Sequence, residues 1–291
     1  MTRPLTHPTI AGLREVLDAA RADGLTVGFV PTMGYLHDGH ASLMRAARPE
    51  CDVLVASIFV NPLQFAADED LSDYPRDLDR DLDICEASGV DHVFVPSVDE
   101  MYPRPMATVI TVDELAGRWE GATRPEHFAG VATVVTKLFS IVGPCRAYFG
   151  EKDYQQLQII RRMVADLSIP VMVVGCPIRR EDDGLAMSSR NVYLSTDERA
   201  AATVLSRALA TAADAFADGE TNGPKLSSLM AALVGAEPLA TLDYAAVVDP
   251  HTLDEVETAD ADSRLIIAAQ VGRPRLLDNR GLDRLPEGST P

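Results

Sequence analysis

Through about the first 180 residues, short apolar runs alternate with stretches whose apolar residues recur at helical spacing. The runs cover 26–30, 53–60, 92–95, 147–149 and 171–175, and the helix-like stretches cover 10–22, 40–47, 78–87, 131–142 and 154–167. A continuous apolar run flanked by turn residues suits a strand buried on both faces, as in a parallel sheet. Alternation of such runs with helices predicts βαβ units wound on both sides of that sheet. The expected fold is therefore α/β, a Rossmann-like doubly wound parallel sheet. Hydrophobic residues at 46% of 291 are enough for the core this needs.

After about Gly184 the texture changes. An alanine-rich helix pattern spans 196–217, a Gly-Glu-Thr-Asn-Gly-Pro break follows at 219–224, and a second helix spans 225–235. Strands are expected at 242–248 and 264–271. The division predicted is a nucleotide- and substrate-binding domain over 1–183 and a smaller C-terminal α+β lid domain over 184–291. The Pro/Gly/Ser-rich end near 286–289 is expected to lie outside both cores.

The net charge is −18 with a pI near 4.6, which opposes a phosphate backbone at long range and argues against a nucleic-acid partner. A local basic pocket for one nucleotide remains compatible with it. Cys51, Cys85, Cys145 and Cys176 form no Cys-x-x-Cys pair and are read as reduced, structural thiols, which suits a cytoplasmic setting. No segment reads as a signal peptide or is long and apolar enough to cross a bilayer, so no membrane partner is expected.

Polar clusters follow four of the five runs, where open α/β sheets bind their ligands. The strongest is His37-Asp38-Gly39-His40, which closes the loop Pro31–Gly39 and opens a helix. A helix N-terminus attracts phosphate, and two imidazoles there can donate to phosphate oxygens as charge builds. The same two residues could instead be surface or capping histidines, and zinc is a weaker third reading because no third ligand cluster is evident. Gly150-Glu151-Lys152-Asp153 opens another helix, with Lys152 a point charge for phosphates and Asp153 either a ligand contact or an N-cap. Met187-Ser188-Ser189-Arg190-Asn191 could close over a triphosphate or be a polar linker. Gln64 and Gln156 suit a small hydroxylated substrate, or cap their elements. His127 is either structural or part of the cleft. Asp79, Asp81 and Asp83 read mainly as a solvated helix face, and any one could hold Mg2+ through water.

Taken together these segments resemble the pantothenate synthetase (pantoate–beta-alanine ligase) family along nearly the whole chain. The resemblance rests on Pro31-Thr32-Met33-Gly34 with His37-Asp38-Gly39-His40, on 57–65, on Tyr74-Pro75-Arg76, and on 127–131, 149–156, 184–191 and Arg275-Leu276-Leu277-Asp278-Asn279. It implies condensation of (R)-pantoate with beta-alanine at the expense of Mg-ATP, through pantoyl adenylate, giving pantothenate, AMP and pyrophosphate. It also implies catalytic roles for His40 (as proton donor), His37 and Lys152. The implied ATP contacts are Met33, Gly34, His37, Gly39, His40, Gly150, Glu151, Lys152, Asp153, Arg179, Met187, Ser188, Ser189 and Arg190. Thr32, Gln64 and Gln156 would hold pantoate, Gln64 would line the beta-alanine site, and Asp81 is the candidate metal ligand. Tyr74 would lie on a gating segment, and the assembly would be a homodimer. Two departures stand out: Arg179 replaces the small apolar residue usual beside adenine, and Arg80 stands where some relatives carry a carboxylate. The rival readings are an adenylyltransferase that moves AMP onto a phosphate ester, which would need more basic residues for its acceptor, and a nucleotide-sensing protein without catalysis.

Overall fold

The computed structural model describes residues 3–65, 71 and 74–282, so the Pro/Gly/Ser-rich end at 286–289 lies outside the described residues. The chain forms two compact units. The first comprises Met1–Glu151 and Gln155–Pro177; the second comprises Lys152–Tyr154 and Ile178–Pro291. The division after Glu151 and at 177/178 compares with the 183/184 boundary drawn from texture.

The first unit holds a six-stranded sheet in the order β1-β4-β3-β2-β5-β6, with every neighbouring pair parallel. Its strands are β1 (Leu5–His7), β2 (Val27–Thr32), β3 (Val53–Ile58), β4 (His92–Phe94), β5 (Cys145–Gly150) and β6 (Val171–Cys176). The connecting helices are α1 (Ile10–Ala22), α2 (Asp38–Ala47), α3 (Leu78–Ala87), the short α4 (Val98–Met101), α5 (Asp113–Ala116) and α6 (Trp119–Thr123), then α7 (His127–Val142) and α8 (Tyr154–Asp166). This is the expected doubly wound sheet. Strand side chains alternate between faces. Val30, Leu54, Ala56 and Tyr148 join a core with Leu43 and Met44 of α2 and Leu82 and Cys85 of α3. Phe29 and Phe149, their neighbours in sequence, instead meet Phe139 of α7, edge to face at 6.5 and 6.3 Å. Burial on both faces explains why these strands read as unbroken apolar runs.

The strand order reverses between β2 and β5, which places the switch point of the sheet beside the ends of those two strands. Ligands of doubly wound folds bind there, outside the carboxyl ends. Thr32 and Gly150 are the last residues of β2 and β5.

The second unit packs α9 (Thr196–Ala202), α10 (Val204–Ala217) and α11 (Gly223–Gly235) with an antiparallel sheet, β7 (Ala240–Val248), β8 (Arg264–Val271) and β9 (Arg275–Gly281), in the order β7-β8-β9. Leu205, Leu209 and Ala212 of α10 and Leu226, Met230 and Val234 of α11 close a core over Leu265, Ile267 and Ala269 of β8. The helix expected over 196–217 breaks at Thr203, whose hydroxyl takes the Ala200 carbonyl at 2.7 Å in place of an uninterrupted backbone ladder. β9 escaped the apolar pattern because it carries Arg275, Asp278 and Arg280. Asp278 is nevertheless buried, through a bidentate pair with Arg180 at 2.7 and 3.0 Å. β1 was missed because three residues are too few to show a period.

Candidate active site

The sequence-derived site residues fall into two groups, one in each unit. In the first unit the chain leaves β2 at Thr32, whose hydroxyl donates to the Ser57 carbonyl at 2.6 Å and accepts from the Gly34 N–H at 3.1 Å. The loop then turns through the left-handed region at Gly34 (φ 85°) and Tyr35 (φ 49°). A Cβ on Gly34 would stand 2.9 Å from Asp81 Oδ2 and from Ile58 Cγ2, so glycine is required both for the turn and for the close approach.

The turn is held by Asp81. Its Oδ2 accepts from the Tyr35 N–H at 2.8 Å and its Oδ1 from the Leu36 N–H at 2.6 Å. The residue is 1% exposed. Burial pushes its carboxyl above the usual carboxylate range, and the two N–H groups partly offset that shift. Asp81 does not lie on a solvated face, and its oxygens are engaged by backbone, which suits a loop anchor better than a metal ligand. Among the described residues no three His, Cys, Asp or Glu side chains gather to hold a metal ion.

His37 and His40 begin α2. His37 is the N-cap and its Nδ1 accepts from the Gly39 N–H at 3.1 Å; the His37 N–H donates to His40 Nδ1 at 3.3 Å. This is a reciprocal capping box made from two imidazoles, with ring centroids 4.1 Å apart. A backbone N–H can only donate, so both Nδ1 atoms present lone pairs. Each neutral ring therefore carries its hydrogen on Nε2. The capping role and the anion-site role considered for these residues are thus compatible, since the cap fixes the tautomer that leaves Nε2–H as the donor.

Gln64 sits at the end of a 3-10 turn, Pro62–Gln64, after β3 and is 8% exposed. Its Oε1 accepts from Asn61 Nδ2 at 3.2 Å, and its Nε2 lies 2.9 Å from the Met33 sulfur. Its carbonyl accepts from His127 Nδ1 at 3.0 Å and from Arg124 at 3.4 Å. His127 is therefore a support of Gln64 through its backbone. Asn61, which sequence reasoning left without a role, is clamped between the Tyr102 hydroxyl at 2.8 Å, Gln64 and the Gly130 carbonyl at 3.2 Å. The crossing of α7 over this turn depends on Gly130, since a Cβ there would lie 2.1 Å from the Leu63 carbonyl oxygen. Tyr74 reaches the Gly34 carbonyl at 3.5 Å and meets Phe65 edge to face. Gln156 is half-buried on α8; its neighbour Gln155 ties the α5–α6 turn through the Leu115 and Arg118 carbonyls, each at 2.8 Å. Gly150 pairs with Cys176 at the end of the sheet, and Glu151 is buried.

In the second unit Lys152, Ser188, Arg190 and Asn191 line one pocket with Leu185 and Leu276. Lys152 is only 18% exposed along its side chain, and its Nζ meets Asp153 at 3.3 Å. Asp153 is thus an exposed partner of Lys152. The segment 179–187 doubles back on itself: the Met187 N–H donates to the Arg179 carbonyl at 3.0 Å and Arg180 bridges to Ala186. The Arg179 side chain is exposed, so its departure from the usual small residue leaves this backbone pairing intact. Ser188 caps the turn Ser189–Tyr193, its hydroxyl accepting from the Arg190 N–H at 3.2 Å, while Asn191 donates to Glu181 and the Ala186 carbonyl.

The family model for pantoate-beta-alanine ligase matches residues 6–281. Pantothenate synthetase of Sinorhizobium medicae is 56% identical over 276 residues, covering 94% of this chain and 95% of that protein. The enzyme of the same name from Heliobacterium modesticaldum is 54% identical over 273 residues, with 93% and 97% covered. Among solved structures, pantothenate synthetase from Thermus thermophilus superposes with a TM-score of 0.91 at 49% identity, covering 96% of this chain and 99% of that one. Pantoate-beta-alanine ligase from Francisella tularensis, solved with beta-gamma ATP and beta-alanine, gives 0.78 at 32% identity, with 97% and 99% covered. With a family model spanning almost all of its residues and relatives more than half identical along nearly its whole length, the chain belongs to the pantoate–beta-alanine ligase family.

Proposed function

We propose that the chain condenses (R)-pantoate with beta-alanine in two steps, using ATP to make pantoyl adenylate. In the first step a pantoate carboxylate oxygen bonds to the α-phosphorus of ATP, the bond from that phosphorus to the bridging oxygen breaks, and pyrophosphate leaves. In the second the beta-alanine amine attacks the acyl carbon, the acyl–oxygen bond breaks, AMP leaves and the amine gives up a proton. Adenylation turns a carboxylate into an acylating agent, and a dry site then protects the mixed anhydride. Bringing amine and anhydride together removes up to about 7–11 kcal/mol of entropic barrier, so no side-chain nucleophile is required.

The observation that carries this reading is the imidazole capping box, with two Nε2–H donors held at the start of α2 beside the strand-order switch. His40 and His37 donate to the phosphate oxygens as charge grows at the α-phosphorus, His40 acting as proton donor. Loss of one such donor costs on the order of 10²–10³ in rate. Met33, Gly34 and Gly39 line the nucleotide on the first unit with Gly150 and Glu151. On the second, smaller unit, Lys152, Asp153, Arg179, Met187, Ser188, Ser189 and Arg190 are the residues assigned to ATP. Thr32, Gln64 and Gln156 hold the pantoate oxygens, and Gln64 also borders beta-alanine. The Asn61 and His127 bonds explain how an amide can be aimed so closely. Mg2+ would accompany the triphosphate and offset part of its charge. The assembly is read as a cytoplasmic homodimer, checked by light scattering on the purified chain. No helix among the described residues is long and apolar enough to cross a membrane.

The direct experiment is pantothenate formation with ATP, pantoate and beta-alanine omitted in turn. Product is expected only from the complete mixture. Product without ATP, or none from the complete mixture, would overturn the reading. His40→Ala should slow adenylate formation by about 10²-fold or more while the protein stays folded.

A further inference from the structure

The motif Arg275-Leu276-Leu277-Asp278-Asn279 has no place in the reaction above, yet two of its side chains are among the most buried polar groups of the second unit. Asn279 is 2% exposed and Asp278 3%. The Asn279 amide is shared between two partners. Its Oδ1 accepts from Arg264 Nε at 2.9 Å and from the second Arg264 nitrogen at 2.6 Å. Its Nδ2 donates to the Lys152 carbonyl at 2.8 Å. Arg264 is buried too, and its guanidinium lies 3.8 Å over the centre of the Tyr154 ring, whose hydroxyl donates to the Pro250 carbonyl. Arg264 can only donate, so it fixes which end of the Asn279 amide is oxygen and aims the NH2 at Lys152. Lys152 and Tyr154, two residues apart, are thereby both tied to the β8–β9 hairpin.

We propose that Asn279 is a positioning residue for the nucleotide: held by Arg264, it sets the backbone of Lys152 and through it the place of the ammonium group. This rests on the reading that Lys152 contacts the phosphates of ATP. A long flexible side chain such as lysine is useful as a phosphate ligand only if its stem starts from a fixed point. Asp278 adds to the frame by accepting the Asn279 N–H at 2.8 Å while it pairs with Arg180.

The test uses Asn279→Asp, which keeps an oxygen for Arg264 and sets a second oxygen against the Lys152 carbonyl in place of the donor. ATP–pyrophosphate exchange dependent on pantoate should fall on the order of 10²-fold, the loss typical of a displacement near 1 Å. KM for ATP should rise while KM for pantoate stays within about twofold, because Gln64 and Gln156 belong to the other unit, whereas a general loss of folded protein would lower the rate and leave both KM values unchanged. Adding Asn279→Asp to Lys152→Ala should cost nothing more than Lys152→Ala alone. A wild-type rate for Asn279→Asp beside a slow Lys152→Ala, or losses that multiply in the double variant, would overturn the inference and leave the role of Lys152 standing. A wild-type rate for Lys152→Ala would instead remove the reading beneath it, and the inference with it.

Discussion

Replacing Asp81 separates a loop anchor from a metal ligand. Its two oxygens accept from the buried turn at Tyr35 and Leu36, immediately before His37. In Asp81→Ala both N–H groups lose their acceptor, and each orphaned buried donor costs about 1–3 kcal/mol, so about 2–6 in sum. Relief of the buried charge subtracts from that, because burial already pushes the carboxyl upward, so the net loss falls below this sum. Asp81→Asn keeps one acceptor and should lose about half as much. In urea unfolding followed by circular dichroism, the alanine variant should unfold about 1 M earlier with an unchanged slope. The loop carries the histidines, so the exchange rate should also drop, by roughly 10- to 100-fold, at every Mg2+ concentration. Unchanged stability with a rate restored by excess Mg2+ would refute the anchor and return Asp81 to the metal.

Three further outcomes follow from the same geometry. Gly130→Ala places a methyl 2.1 Å from the Leu63 carbonyl oxygen, and this backbone clash should cost about 3 kcal/mol, read as lost soluble expression or a lower melting temperature. His7 and His92 lie 3.0 Å apart across β1 and β4; burial lowers both pKa values, with His92 adding to the effect on His7 and Asp91 partly opposing it on His92. The unfolded chain therefore binds protons near pH 6.5 that the folded chain refuses, so stability falls as the pH drops below 6.5 toward the depressed values. His7→Gln should flatten that decline in urea midpoints measured across the range. Gln64→Leu removes the amide that Asn61 aims, and it should raise KM for pantoate by about tenfold or more while leaving the urea midpoint within about 1 M.

The sheet was legible because its strands are buried on both faces, so apolar runs and helical periods alternate plainly. The loops proposed as the site stand out because they fall at the ends of β2, β3 and β5 and carry polar residues out of keeping with their surroundings. What escaped was charge in buried places. Asp81 looked like one acid among several on a wet helix, since no pattern shows that Tyr35 and Leu36 lie above it. β9 went without a strand assignment for the same reason: Asp278 and Asn279 are polar in sequence but satisfied by Arg180, Arg264 and Lys152, residues 98, 15 and 127 positions away. Partners at such distances are fixed by the fold, and local spacing carries no trace of them. The histidines were an intermediate case. Their sequence permitted a cap or an anion site, and the heavy-atom geometry lets the first prepare the second.

The central claim, that the chain makes an acyl adenylate of pantoate, is tested most directly by ATP–pyrophosphate exchange in the presence of pantoate and the absence of beta-alanine. Label should enter ATP at a rate that rises with pantoate, and His40→Ala should lose that rate by about 10²-fold or more. Exchange that is absent without beta-alanine, or that proceeds equally well without pantoate, would contradict the adenylate and the roles given to His37 and His40.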